Sequence, residues 1–92
     1  MADIKLKIEI ASGKWALNVM RHDIVNDDIV ELKWPSKSVL LNDLKLDDVY
    51  IVNVAVVADP GTPFKVYQGN KVILTAKTGA NRAWSGYTSI FS

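Results

Sequence analysis

The sequence predicts an all-β fold, a compact antiparallel β-sandwich of about seven or eight short strands. Three observations predict it. Apolar and polar residues alternate at period two along most of the chain, turn-forming clusters recur at roughly 8–12-residue spacing, and no helix-length apolar periodicity occurs.

Ile4, Leu6, Ile8 and Ile10 alternate with Lys5, Lys7 and Glu9, which marks a first strand with one buried and one wet face. The Gly-containing turn Ala11-Ser12-Gly13-Lys14 follows, and Trp15, Leu17 and Val19 resume the alternation against Ala16, Asn18 and Met20. These two strands are expected to form a hairpin. Polar, turn-like residues from Arg21 to Asp28 lead into a third strand, in which Val30, Leu32 and Trp34 alternate with Ile29, Glu31 and Lys33 until Pro35 closes it. Trp15 and Trp34 each continue an apolar face, so both are expected in the core.

Between Ser36 and Asp48 the positions Val39, Leu40, Leu41, Leu44 and Leu46 fit a one-turn helix about as well as two short strand pieces; strand is preferred. Val49 to Ala58 is rich in β-branched residues at both parities, as expected of a central strand covered on both faces. Asp59-Pro60-Gly61-Thr62 has the chemistry of a type II turn, with proline at the second position and glycine at the third. Pro63 to Gln68 and Lys71 to Lys77 read as a hairpin closed by Gly69-Asn70. A turn at Thr78-Gly79-Ala80-Asn81 precedes a last strand, Ala83 to Phe91.

A chain of 92 residues makes one small domain, and a hydrophobic share of 49% is too high for disorder. With no cysteine there is neither a disulfide framework nor a thiolate metal site, so packing must hold the fold. The amino-terminal residues lack the pattern of a secretory signal, and no asparagine begins an Asn-x-Ser/Thr acceptor, so a cytoplasmic location is expected. The most apolar stretch, Val49 to Ala58, is about half a membrane-spanning length and contains Asn53, so membrane insertion is not expected. A net charge of +1 supplies no field for a polyanion, and nucleic acid is not an expected partner. Lys5, Lys7 and Lys14 are interrupted by Glu9 and read as solvated faces.

Catalytic machinery is thin. His22 is the only histidine, which rules out a histidine-rich zinc site and leaves any Ser-His-Asp triad dependent on that residue, with no nucleophile-elbow motif beside it. His22 next to Asp23 is able to orient a ligand hydroxyl and joins the candidate binding residues, although a plain surface pair is the simpler reading. Aspartates at Asp27-Asp28, Asp43, Asp47-Asp48 and Asp59 match no calcium-loop spacing and read as turn chemistry. No catalytic residue, metal or cofactor is expected.

The segment Asn81-Arg82-Ala83-Trp84-Ser85-Gly86-Tyr87-Thr88 places two amphipathic rings among short polar groups and one fixed cation. A pyranose has an apolar C–H face that packs on Trp or Tyr and hydroxyls that need amide or guanidinium partners. Trp84 and Tyr87 are therefore candidates for stacking and Asn81 and Arg82 for hydroxyl contacts, with Gly86 admitting close approach to the backbone. Trp84 and Tyr87, three apart on one strand, face opposite sides, so at least one belongs to the core.

The cysteine-free chain beginning Ala2-Asp3-Ile4-Lys5-Leu6-Lys7, together with the aromatic-polar end Trp84-Ser85-Gly86-Tyr87, resembles the small lectins of mushroom fruiting bodies. The resemblance implies binding of glycans that end in α-linked galactose, and a non-covalent homodimer presenting more than one site. Weak single-site affinity compensated by multivalency points the same way. The competing expectation is a protein-interaction module, an inhibitor or adaptor, that uses an exposed strand edge.

Overall fold

The computed structural model describes residues 2–21, 28–44 and 49–91. Eight strands lie within them: β1 (Ala2–Ile10), β2 (Lys14–Arg21), β3 (Asp28–Lys33), β4 (Ser38–Leu44), β5 (Val49–Val57), β6 (Pro63–Gln68), β7 (Lys71–Lys77) and β8 (Ala83–Phe91). They form two four-stranded sheets, sheet I in the order β4-β1-β6-β7 and sheet II in the order β3-β2-β5-β8. Every neighbouring pair is antiparallel. The β-sandwich expected from the alternation is the fold, and the ambiguous stretch after Ser36 contributes strand β4.

Period two builds the core directly. Leu6, Ile8, Ile10, Leu41, Phe64 and Val66 from sheet I meet Leu17, Val19, Leu32, Val52, Val54, Val56 and Ile90 from sheet II in one buried cluster. Each such side chain contributes about 1.5–3 kcal/mol on leaving water, and their sum is what a chain without disulfides depends on. On one side of the sandwich the sheets are also tied by hydrogen bonds. The Gln68 Nε2 donates to the Phe91 carbonyl (3.0 Å) and the Thr88 hydroxyl to the Ile73 carbonyl (2.9 Å).

Three expectations need correction. β1 and β2 do not form a hairpin: β1 pairs with β4 and β6, β2 with β3 and β5, so residues 11–13 carry the chain from one sheet to the other. Alternation is the same for strands joined within a sheet or across the core, and the turn signal fixes only that the chain reverses. Gly13 is what seats this crossing against β5: φ is +115°, and a Cβ there would stand 2.6 Å from the Val57 carbonyl oxygen. β5, second, is central only laterally. Tyr50, Val52, Val54 and Val56 are buried, while Asn53, Ala55 and Val57 face outward and are exposed. Trp34, third, is 49% exposed rather than core. β3 ends at Lys33, so Trp34 stands in the turn beyond it, where the Lys14 ammonium lies 5.2 Å from its ring. Trp15 does take an inward place, its Nε1 donating to the Ser36 carbonyl (2.7 Å).

The remaining turns follow their chemistry. The Thr62 amide donates to the Asp59 carbonyl (3.1 Å) across a turn whose third residue, Gly61, has φ +78°. Gly69-Asn70 closes the β6–β7 hairpin with Gln68 opposite Lys71. Lys5 and Lys7 belong to sheet I and Lys14 to sheet II, so the three lysines form no common patch.

Candidate functional site

The outer face of sheet II carries the arrangement best suited to a ligand. Strand register stacks its outward side chains in rows across all four strands. One row runs Glu31, Asn18, Asn53, Tyr87 from β3 to β8; the next runs Lys33, Ala16, Ala55, Ser85. Small side chains in the second row sink the surface beside the taller first row. The result is an open depression of about 400 Å³ lined by Ala16, Asn18, Asn53, Ala55, Ser85 and Tyr87.

Tyr87 is 72% exposed and forms the aromatic wall. At the other end the Glu31 carboxylate accepts from the Asn18 Nδ2 (3.1 Å) and pairs with the Lys33 ammonium (3.1 Å), which fixes one oxygen toward each. Between them Asn53 is exposed, its Nδ2 in a long contact of 3.8 Å to the Met20 sulfur. Chemically the row offers an aromatic face, amide donors and acceptors, and a carboxylate acceptor, above an alanine floor. Among the described residues no group of three or more His, Cys, Asp or Glu is placed to hold a metal ion.

Of the residues singled out from the sequence, those within the described part of the chain are not brought into one cluster. His22 and Asp23 lie outside the described residues. Trp84 packs against the core, its ring edge-to-face with Phe64 at 5.4 Å and 71°. Gly86 is covered on the inner side by that ring rather than open to a ligand there. Asn81 and Arg82 sit in the exposed turn before β8, where the Asn81 Oδ1 accepts from the Ala83 amide (3.4 Å) and the Arg82 Nη2 pairs with Asp59 (3.0 Å). Arg82 lies five residues from Tyr87, roughly 16 Å along the strand, beyond the reach of one sugar ring. Of the candidates within the described residues, the Tyr87 side chain and the Gly86 backbone line the depression, and the opposite facing of Trp84 and Tyr87 follows the expected parity.

Asn18, Asn53 and Glu31 are not distinguished from the sequence, and Ser85 enters only as one of the short polar groups around the two rings. A signal existed: asparagine is depleted in strands, and both Asn18 and Asn53 stand mid-strand in otherwise apolar runs. That they are direct neighbours is a matter of register, which no local pattern encodes. A second depression, lined by Glu9, Ile10, Ala11, Pro63, Phe64 and Lys65 at the end of sheet I, has no comparable convergence of polar groups. Compared with known proteins, the chain matches no family model, no curated protein and no solved structure.

Proposed function

We propose that the chain is a non-catalytic lectin for galactose-terminated glycans and that the outer face of sheet II holds the sugar. The observation carrying this reading is the row Tyr87–Asn53–Asn18–Glu31, in which an exposed ring stands directly beside one amide, with a second amide and a carboxylate on the next two strands, next to a row of small side chains. Galactose, with its axial 4-hydroxyl, has a continuous apolar patch on one ring face that suits Tyr87, while its hydroxyls find donors and acceptors in Asn53 and, one strand further, Asn18; Glu31, three strand spacings or roughly 14 Å from Tyr87, is placed for a second sugar residue of the glycan. The site is shallow, so affinity for one sugar is weak and useful binding comes from several sites acting together. The resemblance to mushroom lectins supports the same ligand class and a homodimer.

A glycan-array screen followed by titration of the best hit tests the reading. Binding confined to terminal α-galactosides, lost on Tyr87→Ala, is the expected result; full affinity in that variant removes the site. Absence of glycan binding puts the protein-interaction module first. The observation that favours this second reading is the open edge of β8.

A further inference from the structure

The four sheet edges differ in a way that bears on association. β3, β4 and β7 each contain charged residues, and each pairs with its inner neighbour through a register shift. Charges and bulges are the usual devices by which an edge strand is kept from pairing with another chain. β8 has neither: its nine residues, AWSGYTSIF, carry no charge, and its ladder to β5 runs without a shift from Ala83 to Phe91.

The backbone groups on its free side can be assigned. The Ala58 amide donates to the Arg82 carbonyl (3.0 Å), so the even-numbered residues of β8 direct their N–H and C=O toward β5 and the odd-numbered ones direct theirs outward. At the two ends the outward groups are already engaged. The Ala83 amide and carbonyl bond Asn81 and Gly79, and the Phe91 carbonyl accepts from Gln68. What remains is the run Ser85, Tyr87, Ser89, which has no backbone partner among the described residues and is symmetric about Tyr87.

We infer that this edge pairs with the same edge of a second copy, antiparallel, with Tyr87 opposite Tyr87 of the other chain and Ser85 opposite Ser89. In that register every open amide and carbonyl of the run finds its complement, which is the self-complementarity a two-fold interface requires. Sheet II becomes a continuous eight-stranded sheet, with both depressions on one face and the two Tyr87 rings at its centre. The pairing gives the proposed lectin its second site but stands on backbone geometry alone, so failure of sugar binding leaves it intact.

Sedimentation equilibrium over a concentration series tests it. The wild-type protein is expected at twice the 10.2 kDa chain mass. The double variant Ser85→Lys with Ser89→Lys sets lysine against lysine at both flanking pairs and is expected as a monomer. Ser85→Lys with Ser89→Glu sets lysine against glutamate and restores the dimer, which also shows that β8 tolerates the changes. A monomeric wild type, two variants that dimerise alike, or two that both stay monomeric overturns the inference. Amide exchange of the wild type reads the same edge directly: slow exchange at Ser85, Tyr87 and Ser89 supports the pairing, and fast exchange at all three contradicts it.

Discussion

The Trp84 ring lies over Gly86 on the inner face of β8, so close that a Cβ at that glycine would stand 2.7 Å from Cη2. The ring is held from the other side by its edge-to-face contact with Phe64. Trp84 thereby fills two positions of the inner face, and the outer face of the same strand is left to Ser85 and Tyr87.

Gly86→Ala is therefore expected to destabilise the fold, because the added methyl would push the ring out of its contact with Phe64. Overpacking of this kind costs about 1–3 kcal/mol. In a domain of this size each kcal/mol lowers Tm by roughly 4–8 °C. Thermal unfolding checks it, and an unchanged midpoint contradicts the packing described.

Thr78 is the one described polar side chain that is buried with the core, and its hydroxyl knits two turns. It accepts from the Thr62 amide (3.0 Å) and donates to the Asp59 carbonyl. Thr78→Val keeps the shape but leaves both partners short of one bond, at an expected cost of about 1–3 kcal/mol. Urea unfolding measures it, and sugar affinity is expected to stay the same, since these turns are remote from Tyr87.

Arg82 holds φ at +66°, a conformation that costs a non-glycine residue about 1–3 kcal/mol. Its ion pair with Asp59 is exposed and returns little, about 0–1 kcal/mol. Arg82→Gly relieves the backbone, loses the pair and loosens the unfolded chain, for a net gain of up to about 1 kcal/mol. A drop in urea midpoint contradicts this balance. A drop in sugar affinity would instead return Arg82 to the binding residues.

What the sequence made legible was local. Ile4 to Ile10 could be read as a strand because side-chain parity alone decides which face meets the core, and Lys71 to Lys77, which does not alternate, because the Gly69-Asn70 turn sets it off as the second arm of a hairpin. Gly13 could be read as a turn, but whether β1 and β2 share a sheet depends on partners far along the chain, and there the reading failed. Trp34 has the right parity for burial and lies one residue past the end of β3, where parity no longer governs. The site follows the same division. Tyr87 was visible as an aromatic among small polar residues, whereas its neighbours Asn53 and Asn18 reach it only through the registers of β5 with β8 and β2.

The division of β8 into an inner and an outer face gives the sharpest expectation. Tyr87→Ala removes a ring that is mostly in water, so stability should change by less than about 0.5 kcal/mol, while galactoside binding should fall at least about tenfold, the 1.4 kcal/mol expected of a lost stacking contact. Trp84→Ala should do the reverse. It empties a space between Phe64 and Gly86, costs about 3 kcal/mol, and leaves the affinity of the fraction still folded near that of the wild type. Calorimetric titration beside thermal unfolding separates the two. If Trp84→Ala abolished binding at a temperature where it stays folded, the sugar would have to be reached from the inner side of the strand, and the outer-face site would be wrong.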